Sequence, residues 1–167
     1  MNLKDEIDKL ISAERVLLEQ RDTKEKEFDE LQKARFLPLR AVLEELIKSV
    51  DPTYLGVQLT DYHATIEVGR RGDDSFEVNV QWKIEPKFLP REEPADGEAL
   101  FEAQPGYSVE EVTTYHRPEF RQLEHAYTFE TESLVIRHIL KEMAKWIAHY
   151  QHLDESARTR NSKDSAS

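Results

Sequence analysis

Neither glycine nor proline occurs in residues 1–37, a stretch that mixes charges of both signs with apolar residues at helical spacing. Leu3, Ile7, Leu10, Ile11, Leu17 and Leu18 form one stripe, and Phe28 and Leu31 resume it. Such a pattern predicts a long amphipathic helix, with Asn2 placed to cap it. A helix of this kind cannot bury its stripe alone. It needs either its own globular body or another chain. From Glu19 to Glu27 every residue is polar, and Arg21 with Glu25 and Asp29 with Lys33 sit at supportive spacing. A heptad placed on Leu3, Ile7, Leu10 and Leu17 puts Glu14, Arg21 and Lys24 in core positions, a poor continuous seam. Asp22 and Glu25 could cap a restart. Nothing forces one, so a continuous helix to Phe36, ~50 Å long at ~1.5 Å per residue, is the expectation.

Leu37-Pro38-Leu39 should interrupt that helix, because proline suits the first turn of a new one. Leu39, Val42, Leu43, Leu46, Ile47 and Val50 then give the cleanest amphipathic stripe in the chain, ended by Asp51-Pro52. Three strands follow, at 54–60, 63–70 and 75–85. The last alternates Phe76, Val78, Val80, Trp82 and Ile84 with polar residues. Asp61-Tyr62 reads as the first hairpin turn and Arg71-Gly72-Asp73-Asp74 as the second. Strict alternation implies one apolar and one wet face, so helices should cover one side of the sheet only. Residues 86–106 read as a long acidic surface loop, in which Leu100 and Phe101 stand among the acids. Further strands are expected at 111–115 and 126–130. A last helix, capped by Thr131, should run from 132 to about 153. Val135, Ile139, Met143, Trp146, Ile147 and Tyr150 line its apolar side. Trp82 and Trp146 are both expected in the core.

The implied fold class is α+β: a long N-terminal helix or coiled coil, then a small antiparallel sheet of four or five strands covered on one face by helices. The implied organisation is a helical extension at 1–37, an α+β domain at 38–153 and a disordered tail at 154–167. A helical extension before a small α+β body resembles, at the level of layout only, kinetochore-type and RWD-like adaptor proteins. No residue motif carries that likeness.

Composition narrows function by exclusion. The 167 residues are 38% apolar and 34% charged, enough for one modest core, and the net charge is −11. An acidic surface repels phosphate backbones and anionic lipid, so neither direct nucleic-acid binding nor membrane association is expected. With no cysteine there is no disulfide, thiolate metal site or thiol chemistry. The first residues, Met-Asn-Leu-Lys-Asp-Glu-Ile-Asp, lack a basic and then apolar leader pattern, and no apolar run is long enough to span a bilayer. A cytoplasmic location is the expectation.

Motifs for chemistry are sparse. His138, Glu142, Lys145, His149 and His152 are assigned to the polar side of the last helix. His149 and His152, three apart, could supply two metal ligands, but no third is evident from spacing, and the helix C-terminal dipole accounts for histidines there. Asp61 and His63 would share a strand face as an oriented base, although a turn explains them more simply. Arg71-Gly72-Asp73 spells an adhesion tripeptide that turn geometry alone explains. The glycines form no phosphate-cradling loop, and residues 92–98 lack calcium-loop spacing.

No enzyme, cofactor or metal is therefore expected. The leading expectation is an interaction or adaptor protein that homodimerises through its N-terminal helix and contacts a protein partner through its head. Candidate contact residues are Leu3, Ile7, Leu10, Leu17, Phe28, Leu31, Leu100 and Phe101. The alternatives are an acidic mimic of nucleic acid that inhibits a DNA- or RNA-binding protein, and an enzyme with a His/carboxylate site.

Overall fold

The computed structural model describes residues 2–72, 75–89 and 104–166. Its order is α1 (Leu3–Ser49), a short 3-10 turn (Pro52–Tyr54), β1 (Leu55–Leu59), β2 (Ala64–Arg71), β3 (Phe76–Leu89), β4 (Gln104–Tyr115), β5 (Arg121–Phe129) and α2 (Glu132–Ala166). The five strands form one antiparallel meander in chain order, β1-β2-β3-β4-β5. This is the α+β architecture that the alternation of apolar residues implies.

The N-terminal helix is unbroken, and it runs past the expected stop. Asn2 caps it, accepting a hydrogen bond from the Lys4 amide at 3.2 Å. No break occurs at Asp22, and Pro38 sits inside the helix instead of opening a second one. Proline removes the bond to the carbonyl four residues back, here Ala34. Ala34, Leu37 and Pro38 all face solvent, so water can take up that carbonyl. Burial of Phe36 on one side of the proline and of Leu39 and Leu43 on the other holds both halves on one axis.

Cross-strand register defines the two sheet faces. Ile66 lies opposite Trp82, Trp82 opposite Glu111, and Ile84 opposite Val109, all on the inner face. There they meet Phe36, Leu39 and Leu43 of α1 and Val135, Ile139, Met143 and Tyr150 of α2. Glu67, Gln81, Lys83 and Glu110 point the other way, to solvent. Tyr107 clamps the assembly from β4: its hydroxyl lies 2.7 Å from Glu132 at the start of α2 and 3.2 Å from the carbonyl of Arg35 in α1.

Trp82 is fully buried, as expected. Trp146 is only half-buried, because it stacks near the sheet end against Tyr115 and Tyr150 instead of beneath the sheet.

The pairing of β3 with β4 also corrects the acidic loop. It runs from Val80–Thr113 out to Leu89–Gln104, so residues 86–89 and 104–106 are strand. Pro86 is tolerated because β2 ends opposite Ile84. Beyond that point β3 has, among the described residues, a neighbour on one side only, so an absent N–H on the other side deprives no ladder there. The rest of the loop, including Leu100 and Phe101, lies outside the described residues, as do Asp73 and Asp74.

A bulge interrupts the pairing of β2 and β3. Val68 faces Val80 while Gly69 faces Val78, so Asn79 is the extra residue. Gly69 is required there: a Cβ on it would lie 2.2 Å from the Glu77 carbonyl oxygen.

Helix α2 begins as expected, with the Leu134 amide 3.4 Å from Thr131 Oγ1. It continues through the segment 154–166 that composition predicts to be a disordered tail. That segment contains no helix breaker, and its first residue is anchored. Asp154 accepts hydrogen bonds from Arg70 of β2 at 2.5 and 3.0 Å and from Tyr54 at 2.9 Å. Partial burial opposes ionisation of Asp154, but the bonds from Tyr54 and Arg70 outweigh it and hold the carboxyl below its ordinary range.

Candidate interaction surfaces

Among the described residues, three places carry functional groups. The first is the N-terminal arm. All of residues 3–27 are exposed, and α1 as a whole, 47 residues, is ~70 Å long at ~1.5 Å per residue. Leu3, Leu10 and Leu17 are 68%, 67% and 57% exposed, and Ile7, Ile11 and Leu18 accompany them. Scattered exposed leucines need no explanation, but six large apolar residues on one face of a projecting helix form a patch. Phe28 and Leu31, further along, are half-buried near the head. The candidate contacts thus divide: Leu3, Ile7, Leu10 and Leu17 stand in solvent, and Phe28 and Leu31 mark where arm meets head. No described helix is long and apolar enough to cross a membrane.

The second place is a polar group beneath the sheet. Alternation puts Glu111 on the inner face, where it is 6% exposed. Its Oε2 accepts from the Trp82 indole N–H at 2.7 Å and lies 2.7 Å from His138 Nε2. The rings of Tyr127 and Phe129 pack over the imidazole, with centroids 4.5 and 5.4 Å away. Burial, followed by the negative charges of Glu111 and Glu142, raises the Tyr127 phenol above its ordinary range. His138 therefore does not belong to the wet side of α2. A buried carboxyl group needs hydrogen-bond partners, and Trp82 with His138 supplies them. The only sequence signal for this arrangement was a glutamate in phase with the apolar positions of β4.

The third place is a cleft of about 550 Å3 at the open end of the head, where the β2–β3 bulge, the end of β4 and α2 meet. Tyr115, Trp146 and Tyr150 supply its aromatic walls; Arg70, His116, Arg117 and His149 supply donors or positive charge. The bulged Asn79 holds its floor, donating to the Thr114 carbonyl at 3.0 Å and accepting from the Tyr150 hydroxyl at 2.7 Å. Burial, and then Glu77, raises the Tyr150 phenol. Phe120, 68% exposed, stands on the adjoining turn with its ring near His116. The residues of this cleft come from four distant stretches, so no local motif announces it.

The remaining sequence candidates do not converge. Asp61 turns towards α1 and pairs with Arg40 and Lys33, while His63 bonds to Thr60 across the tight turn. The two therefore do not form an oriented base. The ring of His149 packs on Trp146 and Tyr150. Among the described residues no group of three His, Asp or Glu side chains is placed to hold a metal. Comparison with known proteins gives no match to a family model, a curated protein or a solved structure.

Proposed function

We propose that this chain is a non-enzymatic interaction protein that self-associates through its N-terminal arm and offers its head to a protein partner. One observation carries the reading: Leu3, Ile7, Leu10, Leu17 and Leu18 all stand exposed along one face of a helix that reaches well beyond its own head. Burying such a stripe is worth about 25 cal/mol per Å2, a strong drive to association. On the head, the cleft beside the bulge is the surface best suited to a partner. It combines the half-buried rings of Tyr115 and Trp146 with the exposed Arg117, residue types that dominate binding energy at interfaces.

Sedimentation equilibrium of the full chain tests the first half. The wild type should be dimeric at micromolar concentration, and the Ile7→Ser/Leu10→Ser variant monomeric with an unchanged melting temperature of the head. A wild-type chain that stays monomeric into the high micromolar range overturns the reading. For the head, partners retained by the wild type and lost by Arg117→Glu, with folding intact, identify the cleft. Partners retained equally by both place the contact elsewhere.

A further inference from the structure

The arm also encodes which way two copies meet, an inference that rests on the self-association proposed above. We infer that the partner is a second copy of this chain running antiparallel, with the dyad at Glu19 and Glu14 of each copy facing the partner's Lys24. The argument starts from the seam, whose positions recur at alternating spacings of four and three along α1. Its ends are apolar: Leu3, Ile7 and Leu10 at one, Phe28 and Leu31 at the other. Its middle holds Glu14, Arg21 and Lys24, interrupted by Leu17.

In a parallel, in-register pair every seam residue meets its own copy. Three layers would then oppose like charges: glutamate against glutamate, arginine against arginine and lysine against lysine. Buried like charges are strongly unfavourable, so the parallel arrangement is rejected by its own centre.

Reversing one helix changes every layer. Aligning Glu14 with the partner's Lys24 makes the central charged layers attractive. The same alignment sets Leu10 against the partner's Phe28 and Ile7 against the partner's Leu31, apolar on apolar. It sets Arg21 against the partner's Leu17. The Arg21 guanidinium reaches 3.2 Å to Glu25 along its own helix, which leaves its methylene stem for the leucine. Leu18 then meets the partner's Leu18 across the dyad. Sliding by one heptad in one direction brings Arg21 against the partner's Lys24. Sliding in the other puts Ile7 against the partner's Lys24 and Leu10 against the partner's Arg21. Of these three registers, only this one opposes Glu14 to Lys24 while keeping Ile7 and Leu10 on apolar partners; Leu3 falls at its end, opposite the partner's Arg35.

Leu17, Gln20, Arg21, Lys24, Glu25, Phe28 and Asp29, all side chains of the arm itself, border a shallow surface hollow within the stretch that the partner's helix would cover. A charged pair inside an apolar seam is also a known means of fixing orientation.

The natural chain has no cysteine, so single reporters are unambiguous. Leu10→Cys and Phe28→Cys proteins, mixed and mildly oxidised, should give the mixed disulfide, while Leu10→Cys alone should give none. In parallel, Lys24→Glu should weaken the dimer roughly ten-fold or more, and Glu14→Lys/Lys24→Glu should restore it. Cross-linking of Leu10→Cys to itself, or absence of the mixed disulfide from a chain that sediments as a dimer, overturns the antiparallel register and leaves self-association standing. A Lys24→Glu dimer as tight as wild type does the same. A wild-type chain that sediments only as a monomer overturns both.

Discussion

Replacing Trp82 with phenylalanine isolates the polar group beneath the sheet. The indole is fully buried, and its N–H donates to Glu111 at 2.7 Å. Phenylalanine keeps an aromatic ring in place but removes that donor and leaves a void where the five-membered ring was. Losing a hydrogen bond to a charged group costs about 1.5–3 kcal/mol, and the void adds roughly 1 kcal/mol. The expected loss is therefore about 2.5–4 kcal/mol, or a fall in melting temperature of roughly 5–16 °C for a chain of this size. Urea unfolding followed by circular dichroism and by Trp146 emission gives the number directly. Glu111→Met removes the acceptor, and the double variant should cost at least ~1.5 kcal/mol less than the sum of the single losses. A Trp82→Phe loss below about 1 kcal/mol, or additivity within ~0.5 kcal/mol, refutes the reasoning.

Trp146→Phe protein, which keeps only Trp82, should emit at shorter wavelength than Trp82→Phe protein, which keeps only the half-buried Trp146; equal emission maxima contradict the packing. Gly69→Ala should lower stability by about 1–3 kcal/mol or more in thermal melts, since its Cβ meets the Glu77 carbonyl at 2.2 Å, and an unchanged melt disproves the close approach. Asp154→Asn should cost about 1 kcal/mol at neutral pH, a figure kept small because Arg70 and Asp154 both remain partly exposed. The Asp154 carboxyl is depressed from 3.8, so its contribution is present above that pH and is lost as pH falls through the lower folded value. The gap between wild type and variant in denaturant titrations should therefore close with acidification. A gap that widens there would reverse the assignment.

Legibility followed the range over which each constraint acts. The strands were readable because alternation is local: Phe76, Val78, Val80, Trp82 and Ile84 name their own face. The arm was readable for the same reason, as was the cap at Thr131. Pro38 misled because proline propensity speaks for a break, while Phe36, Leu39 and Leu43 act together through the core to override it. Asp154 misled in the opposite sense, since its partners Arg70 and Tyr54 lie far away in the chain. The cleft beside the bulge could not be read at all. It depends on one extra residue, Asn79, shifting the register, and on side chains gathered from four segments. His138 failed because a histidine's side of a helix depends on whether a buried acid awaits it.

Continuity of α1 through Pro38 has a mechanical consequence. The arm and the floor of the core are one rod, clamped to the sheet by Phe36, Leu39 and Leu43. No glycine hinge separates them, so the rod behaves as a lever. Its azimuth relative to the head is set by residue count, at about 100° for each residue. Deleting one residue between Leu18 and Phe28 would swing the leucine stripe about a quarter turn around the axis without altering any side chain in it. Deleting seven would return it almost to its original bearing and merely shorten the reach. The spacing between stripe and head is thus a phase as well as a distance.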